Sequence, residues 1–213
     1  MRWCAVIPGT PPGLPRSDHE TVANDGYWSA RDALPPRQTS PRPSPRGALA
    51  VANSIDCMVK ATKVGVWSNN YHIEVDGRRV TTWDGSSWRA GGTFTLDGRP
   101  YRVRSNAWET EYTMTDAAGT VLASAGKVGR RDWTVTAGGQ TYRFRRPSVW
   151  RNEERLVVGD QEVGSIRRTS MWRSDVEAEL PGLPIAVQIF TVAVVLTRWD
   201  RQAAAGAAAT ATT

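Results

Sequence analysis

The residues of this sequence best suited to binding chemistry are two pairs of arginines in the strand-like segments YRVR and YRFR. Because successive side chains of a β-strand point to opposite faces, Arg102 shares a face with Arg104, and Arg143 shares a face with Arg145. The aromatic and β-branched residues between them then face inward. An arginine guanidinium is planar and presents several N–H donors, which suits the oxygens of a phosphate group. The pattern therefore predicts outward arginines that could bind an anionic ligand.

Four more arginines occur as adjacent pairs in predicted turns or strand ends, which enlarges the predicted basic surface. The predicted head-group candidates are Arg102, Arg104, Arg143, Arg145, Arg130, Arg131, Arg167 and Arg168. The alternative is a solvated outer face on which carboxylates balance these charges. The carboxylates available for this are Glu109, Glu111, Glu153 and Glu154.

Residues for catalysis or metal binding are few in this sequence. After Met58 the one histidine is His72, and no nucleophile elbow, P-loop or dinucleotide fingerprint occurs. Glu109 and Glu111 lie two apart on a predicted strand, but such pairs are more often solvent-facing than catalytic. Two cysteines and two histidines in the whole chain leave little material for zinc or haem ligation. We therefore expect no catalytic residues, no metal and no cofactor.

Composition divides the chain near Met58. Hydrophobic residues make up 40% of the 213 residues and charged residues 23%, which excludes a wholly disordered, collagen-like or polytopic membrane protein. Residues 1–57 hold 9 of the 13 prolines and show no sustained apolar period, so we expect a disordered Pro-rich leader. That leader is either a flexible tail, an over-extended reading frame with the functional start at Met58, or a linker that docks a partner.

Residues 64–179 carry the signals of antiparallel hairpins, with alternating strand formers and turn pairs. The predicted turns are Asp76-Gly77, Asp84-Gly85, Asp97-Gly98, Gly138-Gly139 and Gly159-Asp160. The segment TFTLDGRPYRVR at 93–104 aligns without gaps to TVTAGGQTYRFR at 134–145, with six of twelve positions identical at an offset of 41 residues. Too few such units are present for a propeller, which needs about four or more blades. A closed or nearly closed barrel of two similar halves is the expected architecture.

The last predicted element is an almost wholly apolar helix at 184–199. A helix that is apolar all round must be buried in a protein core or in a membrane. The apolar run from Leu183 to Leu196 has 14 residues, whereas a bilayer span takes about 20. This length favours a helix in the barrel core over a membrane anchor. The Ala- and Thr-rich tail at 201–213 is expected to be disordered.

Repeated hairpins followed by one apolar helix resemble the tubby C-terminal-like superfamily, which includes LURP-one-related proteins and phospholipid scramblases. The resemblance covers about 64–200 and rests on the G-x-x-Y-R-[VF]-R strands at 98–104 and 139–145, the VGSIRR strand at 163–168 and the final helix. It implies a mainly β fold, an antiparallel barrel of roughly twelve strands wrapped around a buried C-terminal helix. Tubby-like members bind phosphoinositides, and scramblases are membrane-associated and calcium-responsive. This chain lacks the scramblases' multi-Cys cluster and any D-x-D-x-D-G calcium loop.

The leading functional hypothesis is a non-enzymatic LURP-one-related barrel. It binds anionic phospholipid peripherally through the outward arginines, or it is an interaction module for a protein partner. The alternative is a scramblase-like or C-terminally anchored lipid-handling protein. Nucleic acid is the weaker third partner, because 21 basic and 16 acidic residues from Met58 onward give a net charge of only +5. No secretory signal is visible, so we expect a cytoplasmic protein, peripheral at the inner membrane face.

Overall fold

The computed structural model of this protein is mainly β, with one closed antiparallel barrel and one helix. The described residues are 57–65, 68–86, 90–148, 151–169 and 175–210, with side chains described up to 206. The predicted leader, apart from Cys57, and residues 211–213 lie outside this range. The expectation of disorder at 1–56 therefore stays a prediction.

Twelve strands precede the helix in the described chain. They are β1 (Met58–Lys63), β2 (Asn70–Val75), β3 (Arg78–Gly85), β4 (Gly91–Leu96), β5 (Arg99–Ser105), β6 (Tyr112–Thr115), β7 (Val121–Gly126), β8 (Asp132–Ala137), β9 (Gln140–Arg145), β10 (Glu153–Val158), β11 (Gln161–Arg168) and β12 (Val176–Glu179). Helix α1 (Ile185–Thr210) follows. Each strand pairs with the next one in sequence, and β12 pairs with β1 to close the barrel. The predicted fold class is confirmed.

Alternating side chains produce the two surfaces of the barrel wall. In β8, Trp133, Val135 and Ala137 are buried, while Asp132 and Thr136 are exposed. This period of two is the physical basis of the strand prediction, since every second residue of a strand points to the same side. The inner surface of the barrel is therefore apolar, and the outer surface carries the threonines and most of the charges.

Tight turns of the predicted kind connect several strands. Asp76-Gly77 and Asp97-Gly98 both have positive φ angles, at 49° and 77° and at 49° and 74°, as a two-residue primed turn requires. The prediction of a turn at Asp84-Gly85 was wrong. Both residues end β3 and pair with Thr93 and Gly92 of β4. The chain does not resume a strand directly after Gly85, so the reversal falls in the longer connection that follows.

The sequence repeat is a repeat of strand pairing. In the β4–β5 hairpin, Thr93 pairs with Arg102 and Phe94 with Tyr101. The positions 41 residues later pair in the same way in the β8–β9 hairpin. Both hairpins also hold an aromatic stack on the inner side, Phe94 on Tyr101 and Trp133 on Phe144. The repeated hairpin is therefore confirmed as a structural repeat within the barrel.

Helix α1 lies inside the barrel. Its residues from Val187 to Leu196 are buried all round the helix, and it contacts β1, β4 and β7, which lie on different sides of the barrel. Both polar residues in this stretch donate to backbone oxygens, Gln188 Nε2 to Leu183 O at 2.8 Å and Thr191 Oγ1 to Val187 O at 2.7 Å, whereas Gln188 Oε1 is buried without a partner among the described residues. A helix of this composition is stable here because the barrel wall replaces water on every side.

The predicted end of this helix at residue 199 was wrong, as was the expectation of a disordered tail over 201–210. The helix continues to Thr210. Alanine has the highest helix propensity of all residues, and the run after Arg201 is mostly alanine. Helix propensity therefore extends α1 beyond the point where the barrel stops covering it, and residues 202–206 are exposed.

The two ends of the barrel differ. One end, the turn rim, carries the short connections at 76–77, 97–98, 116–120, 138–139 and 159–160. The other end, the loop rim, is where β1, β3, β5, β7, β9 and β11 end, and the connections at 106–111 and 127–131 there are described in full. Helix α1 leaves the barrel through the loop rim. Asp200 there accepts hydrogen bonds from the Tyr71 hydroxyl at 2.8 Å and from Lys63 at 3.4 Å, and Arg198 reaches Glu154 at 3.3 Å.

Candidate anion-binding face

Arg102 and Arg104 form the clearest anion-binding feature of the outer surface. Both side chains are exposed on β5, and the buried Val103 between them points into the core. Neither arginine forms an ion pair with a carboxylate of the described chain. Two unneutralised guanidinium groups on one face of one strand are the arrangement that the sequence predicted.

A groove of about 710 Å³ runs beside these arginines on the outer surface of β4, β5 and β6. A second depression of about 240 Å³ lies on the side of β4 and is also lined by both arginines. The residue pairing explains the lining, because Arg102 lies between Thr93 and Thr115, and Arg104 lies beside Thr113. The groove thus offers guanidinium donors and threonine hydroxyl groups together.

The groove also has an acidic residue at one end. Asp116 lines it in the turn after β6, and its Oδ1 accepts a hydrogen bond from the backbone N–H of Thr120 at 2.8 Å. This bond holds the carboxylate to its own turn. The positive end of the groove is therefore the part nearest Arg104, toward the loop rim.

The repeat-related arginines do not extend this site. Arg145 donates to Asp132 at 3.0 Å, so its charge is neutralised. Arg143 is exposed between Thr134 and Val157. Strands β5 and β9 are four interstrand spacings apart, which is roughly 19 Å along the barrel wall. The structure therefore does not bring the two arginine pairs together.

The other four predicted arginines have three different environments. Arg167 pairs with Glu177 at 3.5 Å. Arg168 lies over the Trp199 ring at 5.4 Å, where it packs the helix against β11. Arg130 and Arg131 are exposed in the 127–131 connection, and neither forms an ion pair with a described carboxylate. Arg167 is thus paired with a carboxylate, Arg168 packs against the helix, and the last two arginines belong to the loop rim.

Three of the four carboxylates proposed to balance the arginine face act elsewhere. Glu153 pairs with Arg155 at 3.0 Å, and Glu109 pairs with Arg201 of the helix. Glu154 is not on the solvent face at all. It is buried in the barrel, where its carboxylate accepts hydrogen bonds from Trp133 Nε1 at 2.9 Å and from Arg146 at 2.7 Å. Burial raises the pKa of the Glu154 carboxyl, and the bonds from Trp133 and Arg146 offset part of that rise.

Candidates for catalysis are dispersed. His72 lies on β2, with its Nδ1 3.5 Å from the Thr82 hydroxyl. The prediction that Glu109 and Glu111 share a strand was wrong, because both lie in the 106–111 connection, and Glu109 is held by Arg201. Among the residues that the structure describes, no group of three His, Cys, Asp or Glu side chains could hold a metal ion.

Two surface features were missed by sequence reasoning. Trp108 is 85% exposed at the loop rim and was not among the predicted site residues. Its signal was its position in the largely polar segment SNAWETE at 105–111. The threonine lining of the groove was also missed. Its signal was the T-x-T alternation at 93–95 and 113–115 on the strands beside the R-x-R of β5.

Comparison with known families, curated proteins and solved structures found no match for this chain.

Proposed function

We propose that this protein is a non-enzymatic barrel module that binds the head groups of anionic phospholipids peripherally, through Arg102 and Arg104. The observation that carries this proposal is that both arginines are exposed, lie together on β5, lack a carboxylate partner in the described chain and line one groove. Membership of the tubby C-terminal-like superfamily stays a prediction that agrees with this architecture.

The groove chemistry supports a phosphate-bearing ligand. The Cα atoms of residues two apart on a strand are roughly 6.6 Å apart, so both guanidinium groups can reach oxygens of one head group or of two adjacent ones. Charge-assisted hydrogen bonds of this type are about twice as strong as neutral ones. The hydroxyl groups of Thr113 and Thr115 add donors without adding charge. The site therefore favours anions over neutral ligands.

A peripheral contact at the inner membrane face, in a cytoplasmic protein, is favoured over a C-terminal anchor. Residues Val187 to Leu196 of α1 are covered by the barrel wall, so inserting them in a bilayer would remove the barrel's own core. In the described part of the chain, no helix is long and apolar enough to cross a bilayer. The scramblase-like alternative gains no support from the groove, which lies on the outside of a filled barrel.

Vesicle co-sedimentation of the full chain tests the proposal. Phosphatidylcholine vesicles, alone or with phosphatidylserine, cardiolipin or phosphoinositides, are compared at low and physiological salt. We expect binding to anionic vesicles only, weakened by salt because the contact is electrostatic. Arg102→Gln/Arg104→Gln should weaken this binding at least about tenfold, the equivalent of about 1.4 kcal/mol.

The matched control is Arg145→Gln/Arg167→Gln, which removes the same charge from arginines that already pair with Asp132 and Glu177. Exposed ion pairs contribute about 0–1 kcal/mol, so both double variants should fold. Equal loss of vesicle binding in the two double variants would show that net charge alone accounts for the binding, and it would refute a specific site. No binding of the folded wild type to any vesicle would refute the lipid proposal and direct the search to protein partners.

A further inference from the structure

The 106–111 connection presents one tryptophan to solvent on a rigid support. Asn106 closes this loop by donating its backbone N–H to Glu111 O at 2.9 Å, while its side-chain Oδ1 accepts from Thr110 N at 3.0 Å. Its side-chain Nδ2 also donates to Thr110 Oγ1 at 3.1 Å. Trp108 lies at the tip and is 85% exposed. Tryptophan is enriched at binding interfaces and in membrane-interface belts, where one end of its ring is apolar and the other is wet.

The neighbouring 127–131 connection is joined to this loop. The Val128 N–H donates to Thr110 O at 2.9 Å, and the Val128 side chain is buried. Arg130 N donates to Lys127 O at 3.0 Å and closes the turn. The two connections therefore form one continuous surface of the loop rim, called here the Trp108 surface and consisting of residues 106–111 and 127–131.

The charge of the Trp108 surface is positive on balance. Lys127, Arg130 and Arg131 are exposed, and the acidic residues of this surface are Glu109 and Glu111. Glu109 is paired with Arg201 of the helix, so Glu111 is the acidic group that opposes the three basic ones. A tryptophan beside basic side chains matches the interface of an anionic bilayer, where indole rings lie at the head-group level and each nearby Lys or Arg adds about 1 kcal/mol.

We infer that the Trp108 surface is the membrane-docking face of this protein, with Trp108 inserted into the interface of an anionic phospholipid bilayer. This inference rests on the proposed function and adds the orientation of the bound barrel. Lys127, Arg130 and Arg131 then lie in the head-group layer, and the turn rim points away from the membrane.

The position of the groove agrees with this orientation. Arg104 is the second residue before Asn106, so its Cα lies roughly 7 Å along the strand from the start of the loop. The head-group layer of one leaflet is roughly 5–8 Å thick. The long side chain of Arg104 can therefore extend toward the phosphates while Trp108 is inserted, and Arg102 lies one step further from the bilayer. A membrane fits these observations better than a protein partner, because the one exposed aromatic side chain of this surface is accompanied by three exposed basic ones on the adjoining connection.

Fluorescence quenching by brominated phospholipid tests the insertion directly. The full-length wild type and Trp108→Phe are mixed with phosphatidylcholine–phosphatidylserine vesicles containing brominated acyl chains. Phenylalanine retains an aromatic side chain, so Trp108→Phe should bind within about threefold of the wild type while losing most of the bromine-dependent quenching. Trp108→Ala should bind about tenfold more weakly. Val158→Ala, which shortens an exposed apolar side chain at the turn rim, is the matched control and should bind like the wild type.

The outcomes separate this inference from the proposed function. Quenching that is equal in the wild type and Trp108→Phe, or unchanged affinity of Trp108→Ala, overturns the inference. If Arg102→Gln/Arg104→Gln still weakens binding about tenfold or more in that case, the proposed function stands without the docking face. If the folded wild type binds no vesicles, both proposals fail.

Discussion

Replacing Glu154 with alanine should destabilise the barrel by about 3–5 kcal/mol, because it breaks a buried ion pair that holds three elements together. The Glu154 side chain is 1% exposed and accepts from Trp133 of β8, from Arg146 after β9 and from Arg198 of α1. Loss of the acceptor leaves the Trp133 N–H unsatisfied, at a cost of about 1–3 kcal/mol. It also leaves Arg146 without a counter-charge, and the Arg146 side chain is only 11% exposed. The two effects overlap, so the range for a broken buried pair applies to their sum.

Urea and thermal denaturation followed by far-UV circular dichroism measure this effect. For a domain of this size, each kcal/mol lowers Tm by about 2–4 °C, so Glu154→Ala should lower it by roughly 6–20 °C. Asp132→Ala is the control, because Asp132 forms an exposed pair with Arg145 and should contribute less than about 1 kcal/mol. Glu154→Gln retains an acceptor for Trp133 and should lie between the two. A Glu154→Ala protein within about 1 kcal/mol of the Asp132→Ala control would refute the reasoning.

The pH dependence of the same group has a definite sign. Burial raises the pKa of the Glu154 carboxyl in the folded state above its ordinary value of 4.5. A group whose pKa is raised in the folded state makes its full contribution to the free energy of unfolding at pH values below its pKa in the unfolded chain. That contribution is lost as the pH rises through its pKa in the folded state. The stability difference between wild type and Glu154→Gln should therefore narrow as pH rises from 4.5 toward neutrality. A difference that widens over this window would contradict the assignment of burial as the main cause.

Two further substitutions test the core. Val192 is fully buried in α1, so Val192→Asp should abolish soluble expression by placing an unpaired charge in the core. The control Val158→Asp, on the exposed turn rim, should stay soluble. A soluble, folded Val192→Asp protein would contradict the buried helix. Tyr112 is buried, its hydroxyl has no hydrogen-bond partner among the described residues, and burial raises its pKa to about 12. Tyr112→Phe should raise the free energy of unfolding measured in urea by about 1–3 kcal/mol. It should also reduce the loss of stability that the wild type shows between pH 10 and about pH 12. A lower stability than the wild type would indicate an unrecognised partner of the hydroxyl.

The barrel could be predicted because its signals are local. Strand alternation and the turn pairs Asp76-Gly77 and Asp97-Gly98 act over a few residues, and the repeat showed that one hairpin occurs twice. The apolar helix was also recognisable, because few environments can surround such a segment. Closure required one further step, the pairing of β1 with β12, which follows once consecutive strands pair around a central helix.

The charges were harder to place, because the partner of a charged side chain depends on contacts between residues far apart in the chain. Glu153 and Glu154 are neighbours in sequence, yet Glu153 is on the outer surface and Glu154 is inside. The alternation predicts that they point to opposite sides but does not identify Arg198, 44 residues later, as a partner of the buried one. The exposure of Trp108 likewise depends on the Asn106 hydrogen bonds that shape its loop.

The two repeated hairpins show how one residue separates a paired arginine from a candidate binding arginine. Asp132 pairs across β8 and β9 with Arg145, and the equivalent residue of the other half, opposite Arg104, is Gly91. Gly91 has a φ of 135°, and a Cβ atom there would lie 2.3 Å from Val103 O, so the backbone admits no side chain at this position. Because no carboxylate can replace Gly91 without moving β5, the local backbone itself leaves Arg104 without the partner that Arg145 has. The anion-binding proposal for Arg104 therefore depends on the backbone of β4 as well as on the arginine.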